Sequence, residues 1–114
     1  MFEAVFQREV LLVPVPFTDL SSSKKRPVLV LSNDAYNSTS DDFLAAGITS
    51  KVAKRSHAVI IEPNDLEGGS LPLTSQIRAD KIYALNKNIV LKKFGKVNAS
   101  VFREVVNEVT SLIS

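Results

Sequence analysis

Lys24-Lys25-Arg26-Pro27-Val28-Leu29-Val30-Leu31-Ser32 runs from a basic cluster through a proline into an unbroken apolar segment. A residue before proline is pushed toward extended backbone, and the valine and leucine run behind it suits a buried strand, so Arg26 is expected at the mouth of a strand anchored in a core. The guanidinium is thereby delivered to a fixed place on a rigid edge. On residue pattern alone, it suits a binding site or an ion pair tying the preceding loop to a carboxylate such as Asp19.

Other apolar runs flank this one. Glu9 to Val15, closed by Pro14 and Pro16, reads as a first buried strand. Upstream, Phe2, Val5 and Phe6 have helix-like spacing and are expected to pack on the body. Between the two strands, Phe17 to Lys25 is polar and serine-rich, which predicts a mobile surface loop and a lid over whatever Arg26 faces.

Downstream, Asn33 to Ser40 reads as a polar connection whose side chains compete with regular structure. Asp42 to Ile48 is a third strand, stopped by Thr49-Ser50-Lys51, and His57 to Glu62 is a fourth. Pro63-Asn64-Asp65 and Glu67-Gly68-Gly69-Ser70 form turns, the glycines being free to take positive φ. Leu73 to Ala79 is a fifth strand with mixed faces, followed by Asp80-Lys81 and a short apolar Ile82 to Leu85. Short strands separated by polar turns predict a mainly β small barrel, not alternating strands and helices. The tail differs. Val97, Asn98 and Phe102 fit a hydrophobic staple around an Asn cap, and Val101, Val105, Val109 and Leu112, with Phe102, Val106 and Ile113 beside them, make an apolar helical stripe. That helix is expected to pack on the barrel or on a partner.

With 114 residues and 45% hydrophobic content, the chain fits one domain with one core, residues 1–114. Cysteine is absent, which removes disulfides and thiolate metal sites, and the single histidine, His57, leaves little for a zinc site. No metal or cofactor is expected. No apolar run reaches the roughly 18 residues of a membrane helix, and the N-terminus lacks a signal-type hydrophobic region, so the reading is a soluble, cytoplasmic protein. The formal net charge is +2, but from Arg78 to Arg103 seven basic residues face one acid, Asp80. This is a candidate polyanion-binding surface or a solvated face of scattered lysines.

Four segments in order carry a resemblance: Val10 to Asp19, Lys25 to Ser32, Ile48-Thr49-Ser50, and Arg78-Ala79-Asp80-Lys81. Together they resemble the type II toxins of the MazF, PemK and Kid kind over nearly the whole chain. The resemblance implies an SH3-like barrel of about five to seven strands with a C-terminal helix, working as a homodimer without metal. It also implies cleavage of single-stranded RNA by ribose 2′-hydroxyl attack, leaving a 2′,3′-cyclic phosphate and a 5′-hydroxyl, and neutralisation by an acidic antitoxin protein. Such chemistry needs a base for the 2′-hydroxyl, a donor for the leaving 5′-oxygen and groups that hold the phosphate.

Carried over by position, Arg26 matches the family's loop arginine, Thr49 and Ser50 its hydroxyl pair, and Arg78 and Asp80 its Arg-x-Asp pair. Arg78 would clamp phosphate oxygens, and Asp80 would act as base or orient Arg78. An arginine pKa above ~12 leaves the proton donor open. Lys24, Lys25, Lys51, Lys54, Arg55 and Lys81 are expected to track the RNA backbone. Arg26 should then face Arg78 and Asp80 across a groove floored by Thr49 and Ser50. Each residue also has a plainer reading: Thr49 and Ser50 as strand terminators, Asp80 as a surface ion-pair partner, and the lysines as solubility.

The chain departs from the family pattern twice. Arg8-Glu9 stands where Gly-Asp is usual, and the segment from Thr18 to Lys25 holds no histidine, which some members use in catalysis. The alternative reading is a binding module on the same barrel, either catalytically silent or gyrase-directed like CcdB. A nucleic-acid-binding barrel without turnover is a third, and would show steep salt dependence.

Overall fold

In the computed structural model, which describes residues 4–16 and 23–114, the unbroken apolar runs become strands buried on both faces. Strand β1 (Glu9–Pro16) pairs antiparallel with β2 (Ser23–Val30), and β2 pairs with β3 (Asp42–Thr49). A short helix, α1 (Asp34–Thr39), joins β2 to β3. Then follow β4 (Ala58–Ile61), β5 (Leu66–Glu67), β6 (Ser75–Asn86), β7 (Lys92–Val97) and the C-terminal helix α2 (Ala99–Ile113). Among the described residues these seven strands form one curled sheet in the order β4-β6-β3-β2-β1-β7-β5, the expected barrel-like, mainly β architecture with a C-terminal helix. No described helix is long and apolar enough to cross a membrane.

Alternate residues of the central strands feed two cores. Val10, Leu29, Ile48 and Ile77 pack on one face with Val59, Ile61, Val97, Val101 and Val105, while Leu11, Val13, Val28, Val30, Phe43 and Ala45 pack on the other with Val5. Strands apolar at every position are the sequence signature of burial on both sides. Helix α2 closes the first core: the Asn98 side chain accepts from the Val101 amide at 2.8 Å, and the helix lies against β4 and β6. Of its apolar stripe, Val101 and Val105 are buried, Phe102 and Val109 half-buried, and Val106, Leu112 and Ile113 exposed.

Several boundaries differ from the sequence reading. Strand β2 starts at Ser23 rather than Pro27, so Lys24 and Lys25 are paired with Val15 and Pro14 instead of lying in a loop. Asn33 to Ser40 is not irregular: the Asn33 side chain caps α1 by accepting from the Tyr36 amide, and buried Asn37 donates to the Ser32 carbonyl at 2.9 Å. Strands β5 and β7 were not expected. Lysines and Gly95 obscure β7, whose pairing with β1 shifts register between Val10 and Leu11 while Gly95 sits at φ +148°. Residues 4–6 are not helical, although Val5 is buried as expected, and Phe2 lies outside the described residues. The serine-rich lid is also outside them at residues 17–22, with Asp19.

Arg8 explains how the chain tolerates its departure from Gly-Asp. It occupies the third position of a turn closed by the Glu9 amide donating to the Phe6 carbonyl at 3.2 Å, with φ +77°, a conformation glycine adopts most readily. The guanidinium offsets the strain: Nε donates to the Val97 carbonyl at 3.1 Å, and Nη2 pairs with Glu67 Oε1 at 3.2 Å. Arg8→Gly should therefore be close to neutral, relief of about 1 kcal/mol of backbone strain cancelling the lost bonds. Arg8→Ala keeps the strain and loses the bonds, so its urea midpoint should be the lower of the two.

Candidate active site

Arg26 lies inside β2, opposite Val13 on β1. The pairing of β2 with β3 spans only Val28 to Val30, so Arg26 sits just beyond it, where the two strands separate. Into that gap opens a cavity of about 230 Å³ lined by Arg26, Pro27, Val28, Gly47, Ile48, Thr49, Arg78, Lys81 and Tyr83. Three cations and two hydroxyls face it, and among the described residues no carboxylate lines it. Such a lining suits a phosphate.

Arg78 reaches this cavity through an irregularity in β6. Gly47 is opposite Arg78, yet the preceding residue, Ala46, is opposite Ile82, so β6 accommodates three extra residues, Ala79 to Lys81, against one step of β3. Side chains alternate with period two, and an odd insertion reverses that alternation. Arg78 therefore joins Lys81 and Tyr83 on one cavity, although its odd separation from both would put it on the opposite face of a regular strand. The sequence reading split this segment into two strands around Asp80-Lys81, whereas the bulge carries a single strand through it.

Asp80 does not line the cavity; it holds Arg78 in place. Arg78 Nε donates to Asp80 Oδ1 at 3.0 Å and Nη2 to Oδ2 at 2.9 Å, a two-pronged bond that fixes the plane of the guanidinium. Those hydrogen bonds hold the carboxyl below the usual carboxylate range and raise the arginine further above its ordinary value. A carboxylate shifted down is a weak proton acceptor at neutral pH, so the geometry suits Asp80 to orienting rather than to abstracting a proton.

Thr49 and Ser50 part company. Thr49 ends β3 and lines the cavity with Arg26 and Arg78; its Oγ1 accepts from the Lys51 amide at 3.1 Å, leaving the hydroxyl proton to be donated. Ser50 lines a neighbouring cavity, of about 440 Å³, with Lys24, Lys25 and Arg26. The expected shared floor is therefore divided at the end of β3, where Ser50 lies in the bend that follows Thr49.

Of the residues expected along the RNA backbone, Lys81 lines the first cavity and Lys24 and Lys25 the second, while Lys51 and Lys54 are exposed in the β3–β4 connection and line neither. Arg55 is turned inward: Nε donates to Gln76 Oε1 at 3.3 Å and Nη2 to the Lys51 carbonyl at 3.1 Å. Gln76, buried on β6, also exchanges bonds with the Ala53 backbone at 3.1 and 2.7 Å, and so anchors this connection. Sequence reasoning missed both Gln76 and Tyr83. The Lys81-x-Tyr83 spacing could have flagged the latter, whereas a buried glutamine has no sequence signal.

The basic run from Arg78 to Arg103 is not one face. Lys93 bonds the Ala4 carbonyl at 2.6 Å and Glu9 at 3.1 Å, and Lys96 lies 6.0 Å from the Phe6 ring centre, so both fasten the N-terminal segment. His57 lines neither cavity; its Nδ1 is 3.0 Å from Glu108 Oε1 on α2.

The fold is that of several solved structures. A MazF from Deinococcus radiodurans superposes with a TM-score of 0.79 at 21% identity, covering 97% of this chain and 97% of that one. An endoribonuclease in complex with its cognate antitoxin from a mycobacterial species gives 0.78 at 22% identity, over 95% and 93% of the two chains. A MazE–MazF complex from Deinococcus radiodurans gives 0.77 at 22% identity, over 98% and 97%. No curated protein sequence matches the chain. The model of the PemK-like, MazF-like toxins of type II toxin-antitoxin systems matches residues 6–113, nearly the full length, and the chain belongs to that family.

Proposed function

We propose that this toxin is an endoribonuclease that cuts single-stranded RNA, mRNA in particular, without metal. The observation that carries the reading is the convergence of Arg26, Thr49 and Arg78, from three different strands, on one cation-lined cavity. Arg78, its plane fixed by Asp80, holds the non-bridging oxygens of the scissile phosphate together with Arg26, and Thr49 donates to one of them. The ribose 2′-oxygen bonds to phosphorus as the bond to the 5′-oxygen breaks. The 2′-hydroxyl proton passes to water and the 5′-oxygen takes one from water, leaving a 2′,3′-cyclic phosphate and a 5′-hydroxyl. Asp80 serves as the positioning residue for Arg78. Lys81 supplies further positive charge as negative charge builds in the transition state.

The same cationic surface suits an acidic antitoxin segment that folds on binding, and we place the protein as a cytoplasmic homodimer. The direct test is incubation of the purified protein with long single-stranded RNA in EDTA. Fragments with 5′-hydroxyl and cyclic phosphate ends are expected, and RNA that stays intact over a range of sequences overturns the reading.

A further inference from the structure

Two hydroxyls reach the first cavity, and the chemistry above uses only that of Thr49. The other belongs to Tyr83. Gly47 is opposite Arg78 and Ala45 opposite Tyr83, so the bulge puts Tyr83 where the second residue beyond Arg78 would stand on a regular strand, roughly 7 Å along it and on the same face. Gly47 floors the space between. A β-carbon there would lie 3.4 Å from Tyr83 Cε2 and 3.5 Å from Lys81 Cβ, so the missing side chain leaves the ring edge bordering open space over β3. The ring is half-buried and packs on the core that holds Phe43, Ala45 and Leu85, which fixes it. After the Asp80 hydrogen bond and charge, Tyr83 also contributes to the upward shift at Arg78, as a phenol beside a guanidinium does. Among the described residues no hydrogen bond claims its hydroxyl.

We propose that Tyr83 is the proton donor to the leaving 5′-oxygen, an inference that rests on the nuclease reading above. A donor must be protonated at neutral pH, able to release its proton and held in place. Among the described residues on the cavity, Arg26 and Arg78 do not release theirs, and an aliphatic hydroxyl such as that of Thr49 is a far weaker acid than a phenol. Lys81 is exposed on the bulge, whereas the Tyr83 ring is seated on a core. As the bond from phosphorus to the 5′-oxygen breaks, its electron pair stays on that oxygen, which takes the proton from Tyr83 Oη. The three cations of the cavity balance the phenolate until water returns a proton to it. The proton that the 5′-oxygen draws from water thus arrives through the phenol, and the one released from the 2′-hydroxyl restores the count.

The test first maps a cut in a long single-stranded RNA in EDTA, then uses two oligonucleotides spanning it, one ordinary and one with sulfur in place of the bridging 5′-oxygen. A thiolate leaves without a proton. Tyr83→Phe keeps the ring and should cleave the ordinary oligonucleotide about 100- to 1,000-fold more slowly than wild type in single turnovers, yet the sulfur-bridged one at close to the wild-type rate. Lys81→Met removes positive charge and not the donor, so it should slow both to a similar degree. Wild-type cleavage of the ordinary oligonucleotide by Tyr83→Phe overturns the assignment, as does an equal loss on both oligonucleotides, which marks a structural role. Rescue by sulfur in Lys81→Met and not in Tyr83→Phe overturns it in favour of the lysine. These outcomes leave the nuclease reading standing, whereas wild-type protein that cuts no RNA overturns that reading and the proton donor with it.

Discussion

Arg78→Ala should lower RNA cleavage by about 100- to 1,000-fold while leaving the fold in place, the loss typical of removing a preorganised donor to developing charge. The side chain is 27% exposed and extends from a bulge, so its removal opens no core cavity. Asp80→Asn provides the discriminating comparison. If Asp80 only orients the guanidinium, the asparagine variant retains one acceptor for it and should lose less activity than Arg78→Ala, with the acid limb of its pH–rate profile unmoved. If Asp80 were the general base, both substitutions would be comparably severe and that limb would change. Single-turnover cleavage across pH separates the two.

The same pair sets a pH dependence of stability. The native pKa of Asp80 is held below its unfolded value by the Arg78 hydrogen bonds, so the pair stabilises the fold at every pH above the unfolded carboxylate range. That contribution is lost only as pH falls through the lower native value. Between pH 5 and 8 it is therefore constant, and a thermal-unfolding difference between wild type and Asp80→Asn should not vary across that interval.

The largest effect on stability belongs to Gly69→Ala. A β-carbon at Gly69 would lie 1.8 Å from the carbonyl oxygen of Phe94 and 2.9 Å from its carbonyl carbon, backbone atoms of a paired strand that have no rotamer to yield. The turn must lift off β7 or β7 must leave β1. We expect a loss above about 3 kcal/mol, a fall in melting temperature of more than ~10 °C for a domain of this size. Gly68→Ala is the internal control. Its β-carbon meets open space, and only φ +73° opposes it, so about 1 kcal/mol should be lost. Circular dichroism melts of the two variants check the ordering, and equal melting temperatures would show that the turn does not depend on this close approach.

The contrast between the two glycines marks how far the sequence could be read. Both were assigned to a turn with positive φ, which holds for Gly68, whereas Gly69 is required by a neighbour far along the chain. Strands β1 and β2 were legible because burial on two faces leaves continuous apolar runs, and α2 because an Asn cap and a stripe mark its start and its buried side. Strand β7 was not, since its lysines spend themselves on Phe6, Phe94, Ala4 and Glu9, contacts that no local pattern encodes. At the site, the motif match named Arg26, Thr49 and Arg78, which line one cavity, and Asp80, which bonds Arg78 without lining it. It joined Ser50 to them, whereas Ser50, in the bend after β3, lines the adjacent cavity.

The bulge between Arg78 and Ile82 makes chain length there a matter of parity. Adding or removing one residue among positions 79–81 would exchange the sides of the sheet on which Arg78 and Lys81 stand relative to each other, leaving the core residues Ile77 and Leu85 with conflicting demands on register. Adding or removing two would return both to their present sides. Drift in this segment is thus open in side-chain identity and closed in single-residue length changes, so a lineage can retune what surrounds the phosphate far more readily than it can re-space the arginine.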